Sequence, residues 1–303
     1  MPFTLRRFVA PASFLLLLGA VATSSSDWQQ DAAAVELGIE SVNGPVSVLY
    51  GRGGNIGFSN GPDGMLVIDS QFDWLAPKIE AALLERQKEG PSFLINTHVH
   101  GDHTGGNAIL GKYGSIIAHT NLRSRLISER GGASGELDDD AKAALPVITF
   151  DETLSIHFNG EEVKLIHLAT SHTDTDVVVW FTGSNVLHLG DTFFAGAFPF
   201  VDVGRGGNVS GLIDSLNRVM DMIDADTKII PGHGRVCGPA ELAVYVEMLI
   251  ECRSRVAEGL SAGKSLEQMI EMNLLGDYAP EWGAGFINAE QFLNALVASA
   301  GGR

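Results

Sequence analysis

Apolar residues change their period several times along the chain. Beyond residue 44 they form short runs broken by turn residues. "PVSVLY" (45–50) and "NIGFSN" (55–60) flank the turn "GRGG", and "GMLVIDS" (64–70) follows "GPDG". All three read as strands, the last ending at Asp69. Leu75, Ile79 and Leu83 recur at helical spacing and predict an amphipathic helix over about 74–88, with Pro77 in its first turn. "SFLINTH" (92–98) reads as a buried strand and "GSIIAHT" (114–120) as a further short one. Residues 129–146 are polar and rich in Gly and Asp, which predicts a loop carrying one short helix.

From 148 the pattern is strand-rich: "ITF", "TLSIHF", "EVKLIHLA", "DVVVWFT" and "NVLHLGD" follow one another across short turns. Asn159-Gly160 has the composition of a two-residue hairpin turn. A helix is expected over about 210–224, with Leu212, Leu216, Val219, Met220 and Ile223 on one side. "TKIIPGHG" (227–234) is one more strand entering a loop. Helices follow over about 239–259, 265–274 and 289–299. Ser265 with Gln268, and Asn288 with Gln291, have capping-box spacing. This order suggests two half-domains, each a sheet with outer helices. Two sheets facing each other beneath helices would bury both apolar sets.

Charge then narrows the partners. The 303 residues include 37 acidic against 20 basic, a net charge of −17, which argues against nucleic acid and anionic membrane surfaces. A small-molecule substrate is the expected partner; the oligomeric state is not legible. The N-terminus has Arg6 and Arg7 before an apolar stretch from Phe8 to about Ala22, ending in "AVA". It reads as a signal peptide over 1–22, leaving 23–303 as the mature domain with helices from about 239 to 303 packed on it. An uncleaved anchor is the alternative, disfavoured because Pro11 and Ser13 interrupt a run short for a span. A periplasmic or secreted location follows. Cys237 and Cys252 are the only cysteines; export makes a bridge between them possible, and two buried thiols fit equally well.

The chemistry concentrates in "NTHVHGDHTGGN" (96–107). Three of the nine histidines fall here, with an aspartate, directly after an apolar strand. His98 and His100 share a face in an extended segment, and Asp102 and His103 follow across a glycine turn. Further candidates stand at the ends of strand-like runs: His172 in "ATSHTDTD", Asp191 in "HLGDTFF" and His233 in "PGHG". Imidazole nitrogens and carboxylate oxygens suit zinc. Seven ligands exceed one tetrahedral site and suit two zinc ions per chain, about 3.5–4 Å apart.

"HVHGDH", with the later histidine, aspartate and "GHG", resembles the metallo-beta-lactamase superfamily over roughly residues 45–240. The resemblance implies a four-layer αββα sandwich with its site at one edge of the two sheets. It implies that His98, His100 and His172 hold one metal, that Asp102, His103 and His233 hold a second, and that Asp191 bridges them. It also implies hydrolysis of an amide or ester-type carbonyl by a metal-activated water that Asp102 helps to orient. Beta-lactams are the leading substrate expectation. Asp191 stands where one beta-lactamase subclass carries cysteine, and Phe194 where many carry a lysine that pairs with the drug's carboxylate. Those departures keep lactonase, thioesterase and generalist ester hydrolysis open. A mononuclear iron site and a non-catalytic metal-bearing binding protein are further alternatives.

Other residues carry weaker expectations. Asp69, Thr173 and Asp174 are candidate partners for the outer nitrogens of metal-bound histidines. Phe194, Phe198 and Trp282 are candidate pocket rings, with core packing an equal alternative. His119, His157, His167 and His188 lie outside the motif and read as sheet or surface histidines.

Overall fold

The computed structural model describes residues 32–132 and 135–301. The predicted signal segment, 1–22, lies outside the described residues. Among those described, no helix is long and apolar enough to cross a membrane.

Twelve strands form two sheets. The first has seven: β1 (Gly38–Asn43), β2 (Val46–Tyr50), β3 (Ile56–Gly61), β4 (Gly64–Ile68), β5 (Pro91–Ile95), β6 (Ser115–His119) and β7 (Ile148–Phe150), in that spatial order. The meander β1–β4 is antiparallel, and the pairs from β4 to β7 are parallel. The second sheet has β8 (Thr153–Phe158), β9 (Glu161–Leu168), β10 (Asp176–Phe181), β11 (Val186–Phe194) and β12 (Lys228–His233), in the order β12-β11-β10-β9-β8. Only β11 and β12 pair in parallel there.

Side-chain alternation explains the layers. Leu66 and Ile68 of β4 meet Val177, Val179 and Phe181 of β10 between the sheets, while Met65 and Val67 turn to the other face, against Ile79 and Leu83 of the helix Ala76–Leu84. On the far side, Val178, Leu187 and Leu189 pack against the helices Val209–Met220, Pro239–Ser261 and Ala289–Ser299. Helix, sheet, sheet and helix therefore succeed one another, as expected. Strands buried on both faces read as nearly unbroken apolar runs, and all five residues of β4 are buried.

The predicted elements occur with small boundary changes. Both predicted capping boxes form, with Ser265 and Asn288 accepting from the backbone N–H of Gln268 and Gln291. Asn159 and Gly160 both take positive φ, as a two-residue hairpin of this kind requires. One helix, Thr120–Gly131, has no counterpart in the sequence reading. Only Leu122, Leu126 and Gly131 of it are buried, too few to impose a visible period. Cys237 and Cys252 are both free thiols, and burial pushes each up to about 12.

Candidate metal centre

The loops at one end of the sandwich cross from sheet to sheet. Val177 N–H donates to Thr97 C=O (2.7 Å), and Asn55 N–H to Gly232 C=O (2.7 Å). The Asn55 side chain adds bonds to the carbonyls of Pro231 and Gly234. These ties fix the segment after β5 against the start of β10, and the β2–β3 loop against the end of β12.

After β5 the chain bends through His98 to His100, then makes one helical turn, Gly101–Thr104, that carries Asp102 and His103 side by side. His172 comes from the β9–β10 loop, Asp191 from within β11 and His233 from the end of β12. All seven predicted ligands converge. They form two groups with the spacing of metal donors: His98, His100, His172 and Asp191; and Asp102, His103 and His233. In the first, His100 Nδ1 lies 3.1 Å from His98 Nε2 and 2.9 Å from His172 Nε2. In the second, His233 Nε2 lies 3.3 Å from Asp102 Oδ2. Asp191 stands between them. Its Oδ2 is 3.7 Å from both His98 and His172, and its Oδ1 is 3.0 Å from His103 and 3.4 Å from His233.

Two glycines make this density possible. A Cβ at Gly54 would overlap the His103 ring, and one at Gly232 would overlap Asp191 Oδ1.

The outer nitrogens have partners. His103 Nδ1 donates to Asp69 Oδ2 (2.7 Å), and His172 Nδ1 to Phe200 C=O (2.7 Å). His100 Nε2 donates to Asp202 Oδ2 (2.9 Å), which Arg205 also holds. The Thr97 hydroxyl donates to Asp69 Oδ2, so its oxygen is left to accept from His98 Nδ1 at 3.1 Å. With these protons committed outward, the inner nitrogens of His98, His100 and His172 present lone pairs to the shared space, and that of His103 does so once its second proton leaves. His103 Nε2 and Asp191 Oδ1 are buried, and although only 3.0 Å apart neither completes a hydrogen bond. A donor set of this kind, with orphaned inner atoms, fits divalent cations.

Electrostatics divides the groups. Burial holds His98 well below its ordinary value and His172 down at about 4, so both rings stay neutral. Burial also opposes charging His103 and His233, but there the carboxylates win. Asp191, Asp102 and Asp69 hold His103 well above its ordinary value, and Asp191 and Asp102 raise His233 to about 9. Burial likewise opposes ionising Asp191 and Asp102, yet the facing histidines hold both low.

The neighbours differ partly from expectation. Asp69 is fully buried and adjoins His103 directly and His98 through Thr97. Thr173 and Asp174 do not reach a histidine's outer nitrogen in the cluster. Thr173 binds Asp176 through its N–H and hydroxyl, shaping the turn, and the Asp174 carboxylate pairs with Arg125. Asp202 and the Phe200 carbonyl take the places expected of them, and nothing in the motif marks either.

Among the rings, Phe194 stacks on His233 with centroids 5.2 Å apart. Phe198 and Trp282 do not line the cleft: Phe198 stacks on Phe292, and Trp282 sits near Tyr245 in the helix-side core. Phe200 faces His100 (5.5 Å) and His172 (5.8 Å), and Phe286, which is 83% exposed, meets it edge-on. His119 and His167 stack on each other, away from the cluster.

A family model, the metallo-beta-lactamase superfamily, matches residues 49–233, more than half of the chain, and the chain belongs to that family. Members of that superfamily are metal-dependent hydrolases. Similar curated proteins include a metallo-beta-lactamase type 2 from Bacillus cereus, 22% identical over 58% of this chain and 65% of that one. A hydroxyacylglutathione hydrolase from Nitrosococcus oceani is 32% identical over 46% of this chain and 47% of that one. The chain thus spans about half to two thirds of these relatives. A metallo-beta-lactamase from Pontibacter korlensis shares the fold (TM-score 0.59, 15% identity, 71% of this chain and 99% of that one). So does a sec-alkylsulfatase from Pseudomonas sp. (TM-score 0.66, 14% identity, 86% and 49%).

Proposed function

We propose that the protein is a two-zinc hydrolase, with His98, His100 and His172 holding one ion, Asp102, His103 and His233 the other, and Asp191 shared. The observation that carries this is Asp191, whose two oxygens face different clusters. Bound there, the ions would polarise a carbonyl and acidify a water. Asp102 has 23% of its side chain exposed, facing the cleft; it orients the attacking water and takes its proton. His103 and His233 keep Asp102 ionised for that task. Asp202, Phe200 and Asp69 keep the rings aimed. The predicted export segment supports a periplasmic or secreted location.

Beta-lactams are the leading substrate class, in keeping with the Bacillus relative. A second reading, ester or thioester hydrolysis, is favoured by Asp191 itself and by the 32% identity to a hydroxyacylglutathione hydrolase. The test is to load the purified chain with zinc, measure metal content, and assay penicillins, cephalosporins, carbapenems, lactones and thioesters. Two zinc ions per chain are expected, with beta-lactam turnover that Asp102→Asn lowers about 100-fold or more. Intact beta-lactams beside a cleaved thioester would move the assignment to the second reading. One bound iron and no hydrolysis of any substrate would overturn it.

A further inference from the structure

The rims of the cleft differ in chemistry. Phe200 and Phe286 stand on the side of His100 and His172, and Phe286 covers almost nothing of the protein itself. A cavity of about 720 Å³ opens on the side of His233, and Arg52 and Arg235 line it. Both arginines are exposed, and neither guanidinium has a hydrogen-bond or ion-pair partner among the described residues. In a chain with net charge −17, Arg125, Arg205 and Arg255 each pair with carboxylates, whereas Arg52 and Arg235 do not and stand together on one cavity.

Their positions are tied to the second cluster. Arg52 lies in the β2–β3 loop, where Gly54 N–H donates to Asp102 C=O (3.2 Å) and the Gln71 side chain accepts from Arg52 N–H and Gly53 N–H. Arg235 follows His233 by two residues. Glu36 and Glu40 border the same cavity; Glu40 accepts from the Tyr50 hydroxyl (3.1 Å), whose oxygen in turn faces Val236 N–H. The lysine that would anchor a carboxylate from the β11 loop is replaced by Phe194, which stacks on His233. The ring face that Phe194 covers is thus apolar, while Arg52 and Arg235 line the cavity that His233 borders.

We propose that Arg52 and Arg235 form a carboxylate-recognition site, so that the substrate is an amphiphilic acid. Its carboxylate lies in the Arg52/Arg235 cavity, its apolar group lies against Phe200 and Phe286, and the scissile carbonyl lies between. The position of the carbonyl rests on the hydrolase reading; the two binding ends do not. A planar guanidinium pairs with a carboxylate through two parallel hydrogen bonds, and two of them give orientation as well as attraction.

Titration calorimetry on the zinc-loaded protein tests this without turnover. The probes are phenylalkanoates with two to six methylenes, each beside the phenylalkanol of equal length. At least one acid should bind about tenfold more tightly than its alcohol, and high salt should weaken that preference. The preference should vanish in Arg52→Gln/Arg235→Gln, whose metal content is measured alongside to show an intact site. Phe286→Ala should weaken acid and alcohol alike. Equal binding of acids and alcohols by the wild-type protein would overturn the proposal. So would an acid preference that survives in the double variant, which would place the carboxylate on the metal. Failure of the hydrolase reading shows separately, as absent turnover, and leaves these affinities unchanged.

Discussion

Asp69 serves both halves of the centre. One oxygen accepts from His103, and both engage Thr97, whose hydroxyl adjoins His98. It holds a left-handed φ of 67°. Asn tolerates that conformation and keeps the shape but loses the charge. Asp69→Asn should therefore lower zinc affinity about 10–100-fold with the fold intact, read by competition with a chromogenic chelator. The two clusters should also take up metal differently. His98 and His172 are held below their ordinary values and carry no proton at neutral pH; His103 and His233 are held above theirs and do. Metal then displaces no imidazole proton from His98 or His172, while metal at the second cluster displaces protons and binds more tightly as pH rises toward about 9. Calorimetry in buffers of different ionisation enthalpy counts those protons; equal release in both steps would contradict the split. The ligands themselves were legible because their residue types and strand-end positions are unusual together. Asp202 and Phe200 were not, since they reach His100 and His172 from 102 and 28 residues away.

At the scale of elements, the end of the sandwich far from the metal loops is also closed. Asn159 in the β8–β9 turn accepts from Asp63 N–H (3.0 Å) and donates to the Ser59 hydroxyl and Gly64 C=O. Asp63 accepts from Asn159 N–H in return (2.7 Å). One asparagine thus makes a hairpin of the second sheet grip a hairpin of the first. Asn159→Ala loses those side-chain bonds and puts at a φ of 52° a residue that tolerates the left-handed region less well than asparagine; a loss of about 1–3 kcal/mol in urea unfolding is expected, with activity retained. The sequence announced the turn through Asn-Gly, but not the grip, because a turn's composition says nothing of what lies across from it. Most strands were legible through their apolar runs; β1 was not, since GIESVN buries none of its residues fully. The helix Thr120–Gly131 was not, since it shows the core little more than Leu122 and Leu126.

For the whole molecule, the decisive fact is where the donors come from. His98, His100, Asp102 and His103 follow β5 of the first sheet, while His172 comes from the second sheet's β9–β10 loop and Asp191 and His233 from its strands β11 and β12. Neither sheet alone offers either donor set. Chelation of the metal should lower the melting temperature, and restored zinc at about 100 times its dissociation constant should return roughly 2.7 kcal/mol. Differential scanning calorimetry with and without chelator reads this; identical melting would mean that the ions do not hold the sheets together. The layered fold was readable from the order of the runs, whereas the cleft's two rims were not, because Arg52 and Arg235 on one and Phe200 and Phe286 on the other come from loops distant in sequence. The divided donor set has a consequence in time as well as in energy. Residues 98 and 233 are far apart in sequence, so ions bound by both would be expected to join late in folding and to leave early in unfolding. Ions held there would act as a latch, lengthening the life of the folded chain while leaving its speed of folding unchanged.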